Sequence, residues 1–203
     1  MAKARATNLR SGAGDKLARD RVADAALKLA AKTAWYDVSM RGLARELGVG
    51  LDELAGRYPD PDAVADAVFA RARDAMLGRR PPGFARLGPR QRVERAMLGW
   101  FDALGPHRRA AVGMLAAKLH PGHAHHWGPL PFHLSRLIWW LREAALLDAS
   151  GPRRQAEEIA LSAIFLAVLA AWTLGGGDAE ARARTLLAQL LDNSERVLGW
   201  KRD

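Results

Sequence analysis

The chain of 203 residues has no cysteine. This absence excludes disulfide bonds, thiolate metal sites and cysteine nucleophiles. Acidic residues are also too few to balance the basic ones, since 22 Asp and Glu face 31 Lys and Arg and leave a formal net charge of +9. Such an excess favours nucleic acid as a partner, with an anionic membrane surface as second choice. It also arises where high-GC coding enriches arginine and the charges only solvate the surface.

Known catalytic motifs are absent too. The sequence contains no Gly-x-Ser-x-Gly, no P-loop, no dinucleotide glycine fingerprint and no His-Glu-x-x-His. The run from Gly175 to Gly177 follows a predicted helix rather than a strand, which argues against phosphate binding. The sequence therefore predicts a protein that is not an enzyme and carries no cofactor.

One segment concentrates histidines. Neutral imidazole is a common metal ligand, but the spacing matches no closed zinc pattern, and no cysteine or nearby carboxylate joins the group. We therefore predict no metal site and interpret the segment as a flexible loop over a pocket mouth. The histidines are His120, His123, His125, His126 and His133.

Long apolar runs and targeting signals are scarce. The most apolar run, Ile159 to Leu174, would span roughly 24 Å as a helix, less than the ~30 Å of a membrane's hydrocarbon core. The basic N-terminus has no apolar segment after it, so no secretory signal is predicted. We expect a buried helix rather than a membrane span, and a cytoplasmic protein.

The most informative segment that is present, residues 39–58, has the pattern of two short helices joined by a tight turn. Ser39 suits an N-cap, and Leu43 and Leu47 lie on one face at helical spacing. Gly48 then stands where a helix ends with a left-handed residue. These features predict the first helix and the turn of a helix-turn-helix.

The second helix of this pair is predicted from about Leu51 to Arg57, after Gly50. Asp52 and Glu53 in its first turn suit the positive end of a helix dipole. In DNA-binding helix-turn-helix proteins the second helix enters the major groove. The two helices together therefore predict a DNA-binding unit.

This segment resembles the DNA-binding half of TetR-type transcriptional regulators. That family has a Ser or Thr, an Ile-Ala or Leu-Ala pair, a Gly-Val turn and a recognition helix ending in Leu-Tyr-x-His-Phe. The matching residues here are Ser39, Leu43-Ala44, Gly48-Val49 and Leu54.

The chain departs from the family pattern at three positions. Ala55 stands at the usual Tyr, Tyr58 replaces the Phe, and Pro61 stands at the usual Lys. The family uses that Tyr and that Lys on DNA phosphates. Phosphate binding here is therefore expected to depend on other cations.

Helical periodicity continues along the rest of the chain, with helices expected at about 16–34, 61–77, from 89, from 106, from 134, at 155–174 and at 178–198. The resemblance implies an all-α fold, in which an N-terminal three-helix helix-turn-helix DNA-binding domain is followed by a helical-bundle ligand and dimerisation domain. We predict a flexible basic arm at 1–14, the helix-turn-helix domain at 15–58, a connecting helix at 59–78 and the effector-binding and dimerisation domain at 79–203.

The candidate DNA-binding residues lie early in the recognition helix or are basic or hydroxyl side chains near it. Residues at the start of such a helix meet base edges, whereas Arg, Lys and Ser meet phosphates. The candidates are Lys28, Ser39, Arg41, Arg45, Gly50, Leu51, Asp52, Glu53, Arg57 and Tyr58.

An unusual load of large apolar side chains lies in the second half of the chain. Most are expected in the core, but such side chains also line cavities between bundle helices, and the resemblance implies an effector pocket here. We predict that an apolar or planar small molecule or lipid contacts some of them. The candidates are Met97, Trp100, Phe101, Met114, Trp139, Phe165 and Trp172.

The last two helices, at about 155–174 and 178–198, are predicted to form a homodimer interface. The first is apolar on nearly every side, which a monomer rarely covers, and TetR-type proteins dimerise through their last two helices. A two-fold pair of helix-turn-helix units would meet successive major grooves about 34 Å apart and read a pseudo-palindromic operator.

The sequence thus predicts a TetR-like regulator, a repressor that an effector releases from double-stranded DNA. An alternative stays open, because residues 92–197 also resemble, weakly, the TetR-like lipid-binding proteins of ubiquinone biosynthesis. Those proteins have degenerate helix-turn-helix regions, as here at Ala55 and Pro61, but they carry an extra amphipathic C-terminal helix. A lipid-binding accessory protein of quinone biosynthesis is therefore the second hypothesis.

Overall fold

The computed structural model describes residues 19–78, 80–120 and 130–200. This part of the chain is helical and has no strand, which confirms the predicted all-α fold. The helices are α1 (residues 19–32), α2 (Met40–Leu47), α3 (Leu51–Arg57), α4 (Pro61–Gly78), α5 (Pro89–Leu104), α6 (Arg108–Leu119), α7 (Leu130–Ala144), α8 (Gly151–Leu174) and α9 (Ala179–Leu198). Short 3-10 turns occupy Trp35–Asp37, Phe84–Arg86 and Gly105–His107.

Several helix ends follow from local signals that the sequence displays. Asp60 precedes α4, and its Oδ1 accepts a hydrogen bond from the Ala63 amide at 2.7 Å, as expected for an N-cap. Pro89 occupies the first turn of α5, where its missing N–H costs no intrahelical bond. Asp178 stands at the N-cap of α9 but makes no side-chain cap bond.

The first of two compact units contains the described residues to Arg71 together with residues 107–120. Its core holds the apolar faces of α1 to α4 and of α6. α6 packs on the 3-10 turn Trp35–Asp37, where a Cβ at Gly113 would come within 3.0 Å of the Trp35 Cβ. The buried Lys118 of α6 joins α4 within this unit, because its Nζ lies 3.1 Å from the Asp66 carboxylate.

The second unit contains residues 72–106 and the described residues from 130 onwards. α8 packs along α9, α5 contacts both α7 and α9, and α7 contacts α8. A buried ion pair joins Arg142 of α7 to Glu157 of α8 at 3.1 Å. Trp200 completes this polar cluster, because its indole N–H donates to the other Glu157 oxygen at 3.0 Å.

These units divide the chain differently from the domains predicted by sequence. The predicted boundary lay near residue 79, whereas the first unit ends at Arg71 within α4 and includes α6. Two helices also begin earlier than predicted, since α7 starts at Leu130 rather than near 134 and α8 starts at Gly151 rather than at 155. α6 begins at Arg108, after a 3-10 turn that contains Pro106.

By length and composition, α8 is the one helix of the described segments that is apolar enough to cross a membrane. A core helix passes the same test, and α8 buries one face against its neighbours in this unit. The buried side chains of α8 are Glu157, Leu161, Ile164, Phe165, Val168 and Trp172.

Candidate functional site

The turn between α2 and α3 has the geometry of a helix-turn-helix. Ser39 caps α2, with its Oγ accepting from the Gly42 amide at 3.0 Å. α2 then ends at Gly48, whose φ of 69° is a left-handed conformation that glycine adopts at little cost. The amides of Gly48 and Val49 turn back onto carbonyls of the last turn. These bonds fix the direction in which α3 leaves α2.

α3 presents one apolar anchor and an exposed outer face. Leu54 is buried in the first unit, whereas Leu51, Asp52 and Glu53 are exposed in the first turn. A side chain at Gly50 would collide with the Asp52 carboxylate, so glycine leaves the space that this carboxylate occupies. The exposed N-terminal turn of α3 is therefore acidic and apolar, without a side-chain donor to base edges.

Three arginines around this face form no ion pair with another described residue. Arg41, Arg45 and Arg57 are exposed, and within the described residues none of them makes an ion pair or a side-chain hydrogen bond. Long, unpaired guanidinium groups next to a helix-turn-helix are suited to phosphate oxygens. These arginines thus supply the positive charge that the first turn of α3 lacks.

Lys28 differs from these arginines because it is already paired. Its Nζ lies 2.5 Å from the Glu46 Oε1 of α2. The hydrogen bond from Lys28, then the charge of Lys28, hold the pKa of Glu46 below its usual 4.5. Tyr58, the remaining candidate, is half-buried at the end of α3, and its amide donates to the Leu54 carbonyl at 2.8 Å.

One aromatic residue near this surface was not predicted by sequence. Trp35 is buried in the core of the first unit, whereas its neighbour Tyr36 is 75% exposed. Its ring lies 6.5 Å from that of His120. A phenol at the surface of the helix-turn-helix unit is a further hydrogen-bond donor for phosphate. The sequence does not indicate whether Tyr36 or Tyr58 is the more exposed, because a tyrosine ring is amphipathic and suits both the core and the surface.

The candidate ligand-binding residues separate into three environments. Trp100, Phe101, Phe165 and Trp172 form one buried cluster, in which neighbouring rings have centroids 5.0 to 5.8 Å apart and Trp172 contacts the ring of Phe101. Trp139 is 40% exposed on α7 and packs edge-on against Trp140. The other two candidates, Met97 and Met114, are fully buried, but Met114 belongs to the first unit.

A cleft of about 410 Å³ opens beside the aromatic cluster, within the second unit. Phe101 and Trp172 of the candidate set contribute to its wall. The wall also contains charged residues of α5 and α9 that the sequence analysis missed, because they come together only in the folded chain. The lining is Leu98, Phe101, Asp102, Gly105, Pro106, Val168, Trp172, Glu180, Ala183 and Arg184.

The histidine group is only partly described. His123, His125 and His126, with the loop predicted there, lie outside the described residues, whereas His120 is exposed after α6 and His133 is exposed within α7 rather than in a loop. Across residues 19–78, 80–120 and 130–200, no three His, Asp or Glu side chains are close enough together to hold a metal ion.

No protein-family model and no curated protein matches this chain. Solved structures do. A TetR transcriptional regulator from Nitrosomonas europaea ATCC 19718 shares 31% identity, with a TM-score of 0.75 over 88% of this chain and 98% of that one. A TetR transcriptional regulator from Rhodococcus sp. RHA1 shares 19% identity, with a TM-score of 0.61 over 87% and 97%. A TetR-like regulator from the same organism shares 21% identity, with a TM-score of 0.50 over 87% and 94%.

Proposed function

Because this chain belongs to the TetR family of transcriptional regulators, we propose that it is a cytoplasmic repressor that binds operator DNA as a homodimer and is released by an apolar small molecule. The observation that carries the proposal is the surface around α3. An exposed recognition helix is flanked there by Arg41, Arg45 and Arg57, which have no other partner among the described residues.

In this proposal, α3 lies in the major groove and the arginines bind the phosphates on either side. Phosphate contacts fix the register, whereas side chains at the start of α3 read the bases. Asp52 and Glu53 are acceptors, and the base-edge donor that suits a carboxylate in the major groove is the amino group of cytosine. Leu51 offers an apolar contact to thymine methyl groups. These residues predict C·G pairs in each half-site.

The homodimer is supported by an uncovered apolar stripe on α8. Ile159 is 72% exposed, Leu166 49% and Leu174 86%, and the exposed alanines 163 and 170 lie on the same helix face between them. A second copy of this face would cover the stripe across a two-fold axis. The symmetric pair would present two α3 helices to half-sites about 34 Å apart.

In this proposal, the effector regulates DNA affinity because the binding of effector and the binding of DNA are thermodynamically linked. An effector that binds more tightly to a dimer with wrongly spaced reading heads lowers DNA affinity by that difference in binding free energy. The cleft of the second unit is the proposed effector site.

The proposal is tested by fluorescence anisotropy of the purified protein on the duplex that flanks its own gene, over a salt series and with nonspecific competitor. We expect a specific complex of two protomers per site, with an affinity that falls steeply as salt rises. Arg45→Ala and Arg57→Ala should each weaken binding and lower the salt slope by about two, since each removes one phosphate contact per protomer. Arg95→Ala, an exposed position in the second unit, makes the same change in charge and should have no effect.

Weak binding that ignores sequence and is unchanged by the two substitutions would contradict the proposal. Hydrophobic material recovered by solvent extraction of the same preparation would then support the lipid-binding alternative.

A further inference from the structure

One side of α7, in the second unit, is apolar and exposed. Phe132 is 71% exposed and Trp139 40%. The seven positions that separate them place both on the same side of the helix, roughly 10 Å apart along its axis. Leu146, which is 41% exposed, adds a third apolar side chain in the turn that ends α7. Phe132, Trp139 and Leu146 thus form an apolar surface, the α7 face, and apolar side chains that cluster at a surface mark sites of interaction.

Leu146 is held in an unfavourable backbone conformation. Its φ of 54° is left-handed, and it is the one non-glycine residue with a positive φ in the described segments. A residue with a Cβ loses stability in this conformation that glycine would not lose. Because the side chain is partly exposed, core packing offsets only part of this cost. The strain therefore points to a role for the leucine side chain at the surface.

An unpaired cation lies within the α7 face. Arg136 is one turn from Phe132 and one turn from Trp139, so it stands between the two rings on the same side of the helix. It is exposed, and among the described residues it makes no ion pair and no side-chain hydrogen bond. The acidic residues nearby in sequence are Glu143, one turn after Trp139, and Asp148, beyond the end of the helix.

Two further arginines lie at the C-terminal end of the face, beside Leu146. Arg92 of α5 donates from Nη2 to the Leu146 carbonyl at 3.2 Å, and the exposed Arg80 donates from Nη2 to the Glu143 carbonyl at 3.3 Å. A guanidinium has five N–H donors, so Arg80 keeps others for an anionic partner. Together with Arg136, these arginines outnumber the two nearby acids. The α7 face therefore combines apolar side chains with an excess of positive charge.

We propose that the α7 face binds the surface of an anionic lipid bilayer. The helix would lie in the plane of the interface, with its apolar side chains below the headgroups and its arginines on headgroup phosphates. The helix of a protein partner is normally received in a groove between elements, whereas these side chains belong to one helix and its terminal turn. The net charge of +9 adds attraction to an anionic surface. This activity goes beyond operator binding and needs no DNA.

The test is flotation of the full chain with large unilamellar vesicles, without DNA. One set of vesicles contains phosphatidylglycerol and phosphatidylcholine in equal parts, and the other contains phosphatidylcholine alone. We expect binding to the anionic vesicles to be at least about tenfold tighter and to weaken as salt rises. Arg136→Gln should reduce binding to the anionic vesicles about fivefold, the usual contribution of one basic residue near such a surface.

Two variants that keep the net charge separate apolar contact from attraction by charge. Phe132→Ser removes a ring that is 71% exposed on the α7 face, and Tyr36→Ser removes a ring that is 75% exposed in the first unit. Phe132→Ser should lower binding to the anionic vesicles at least about fivefold, because a large apolar side chain no longer enters the interface. Tyr36→Ser should have no effect.

Leu146→Gly separates a role in binding from a role in the fold. Glycine adopts the left-handed conformation at little cost, so the midpoint of urea denaturation should stay the same or rise. Vesicle binding should nevertheless fall, because the apolar side chain is lost. A leucine that serves only the fold would give the opposite result, with a lower midpoint and unchanged vesicle binding.

Absence of binding to the anionic vesicles would overturn the inference. Binding that Phe132→Ser leaves unchanged, or that Tyr36→Ser lowers equally, would also overturn it, since the chain would then adhere by another surface. If the vesicles are not bound but sedimentation shows that Phe132→Ser dissociates an assembly larger than a dimer, the α7 face belongs to a second copy of the chain. Operator binding is measured separately, so failure of this inference leaves the proposed regulator unaffected.

Discussion

At the scale of single residues, the basic side chains near the helix-turn-helix are not equivalent. Arg41, Arg45 and Arg57 are unpaired within the described part of the chain, whereas Lys28 is held at 2.5 Å by Glu46. A phosphate must compete with this carboxylate before Lys28 can bind DNA. Glu46 thus competes with DNA phosphates for the Lys28 ammonium group.

Replacing this competitor should strengthen DNA binding. We expect Glu46→Gln to raise operator affinity by severalfold and to steepen the salt slope by up to about two per dimer, because each freed Lys28 gains a phosphate contact. Anisotropy over a salt series measures both quantities. In the double variant with Lys28→Gln the gain should vanish, and a gain that persists would show that Glu46 acts by general repulsion instead.

The pH dependence of this pair has a definite sign. The hydrogen bond from Lys28 is the main reason why the pKa of Glu46 lies below its usual value of 4.5. The carboxylate is therefore charged at neutral pH. The pair's contribution to stability is present above the unfolded-state pKa and is lost as the pH falls through the folded-state pKa. The pair is therefore intact across the neutral range in which operator binding is measured.

Single residues also show which features a sequence predicts and which it does not. The caps at Ser39 and Gly48 were predicted correctly, because a cap depends on residues within three positions of the helix end. The pair of Asp102 and Arg184 joins residues 82 positions apart, so no local pattern indicates it.

At the scale of elements, the turn between α8 and α9 depends on close backbone packing. A Cβ at Gly175 would lie 2.7 Å from the Ala171 carbonyl oxygen and 2.9 Å from the Ala179 Cα. The backbone there has φ −72°, which any residue adopts, so space rather than conformation requires glycine. A side chain at residue 175 would therefore force the turn apart.

Adding a methyl group at this turn should destabilise the protein. We expect Gly175→Ala to lower the free energy of unfolding by about 1–3 kcal/mol, the typical cost of overpacking. Urea denaturation followed by circular dichroism measures the change. Gly177→Ala, where nothing lies within 4 Å of the added Cβ, is the control and should stay close to wild type. Equal effects at the two positions would assign the loss to chain entropy or hydration rather than to crowding.

Element boundaries were less predictable than the elements themselves, and prolines are the reason. Pro131 and Pro152 precede the helix starts predicted near 134 and at 155, yet both lie in the first turn of a helix, α7 and α8. Proline both breaks a helix interior and suits a first turn, so composition alone does not decide between the two.

At the scale of the whole molecule, the sequence predicted the fold class but not the unit to which α6 belongs. Its periodicity predicts a helix of the bundle, while its packing places it with the helix-turn-helix unit, through Gly113 against Trp35. Helical periodicity identifies an apolar face but not the partner of that face. A contact between residues so distant in sequence follows only from the folded chain.

The exposed stripe on α8 leads to the prediction that joins assembly to function. We expect Ile159→Glu combined with Leu166→Glu to give a folded monomer, since two charges per copy would face their equivalents across the proposed two-fold axis. Sedimentation equilibrium measures the mass, and circular dichroism checks the helical content. Operator affinity should fall at least about a hundredfold, because one reading head retains only its own half-site.

The matched control is Phe132→Glu, which places a charge on an equally exposed apolar residue of α7. It should leave both the dimer and operator binding intact. A double variant of α8 that remains dimeric with wild-type affinity would locate the interface elsewhere and leave the stripe for another partner. A monomer that keeps full affinity would instead separate assembly from DNA recognition. The two measurements together therefore decide whether the paired half-sites require this helix face.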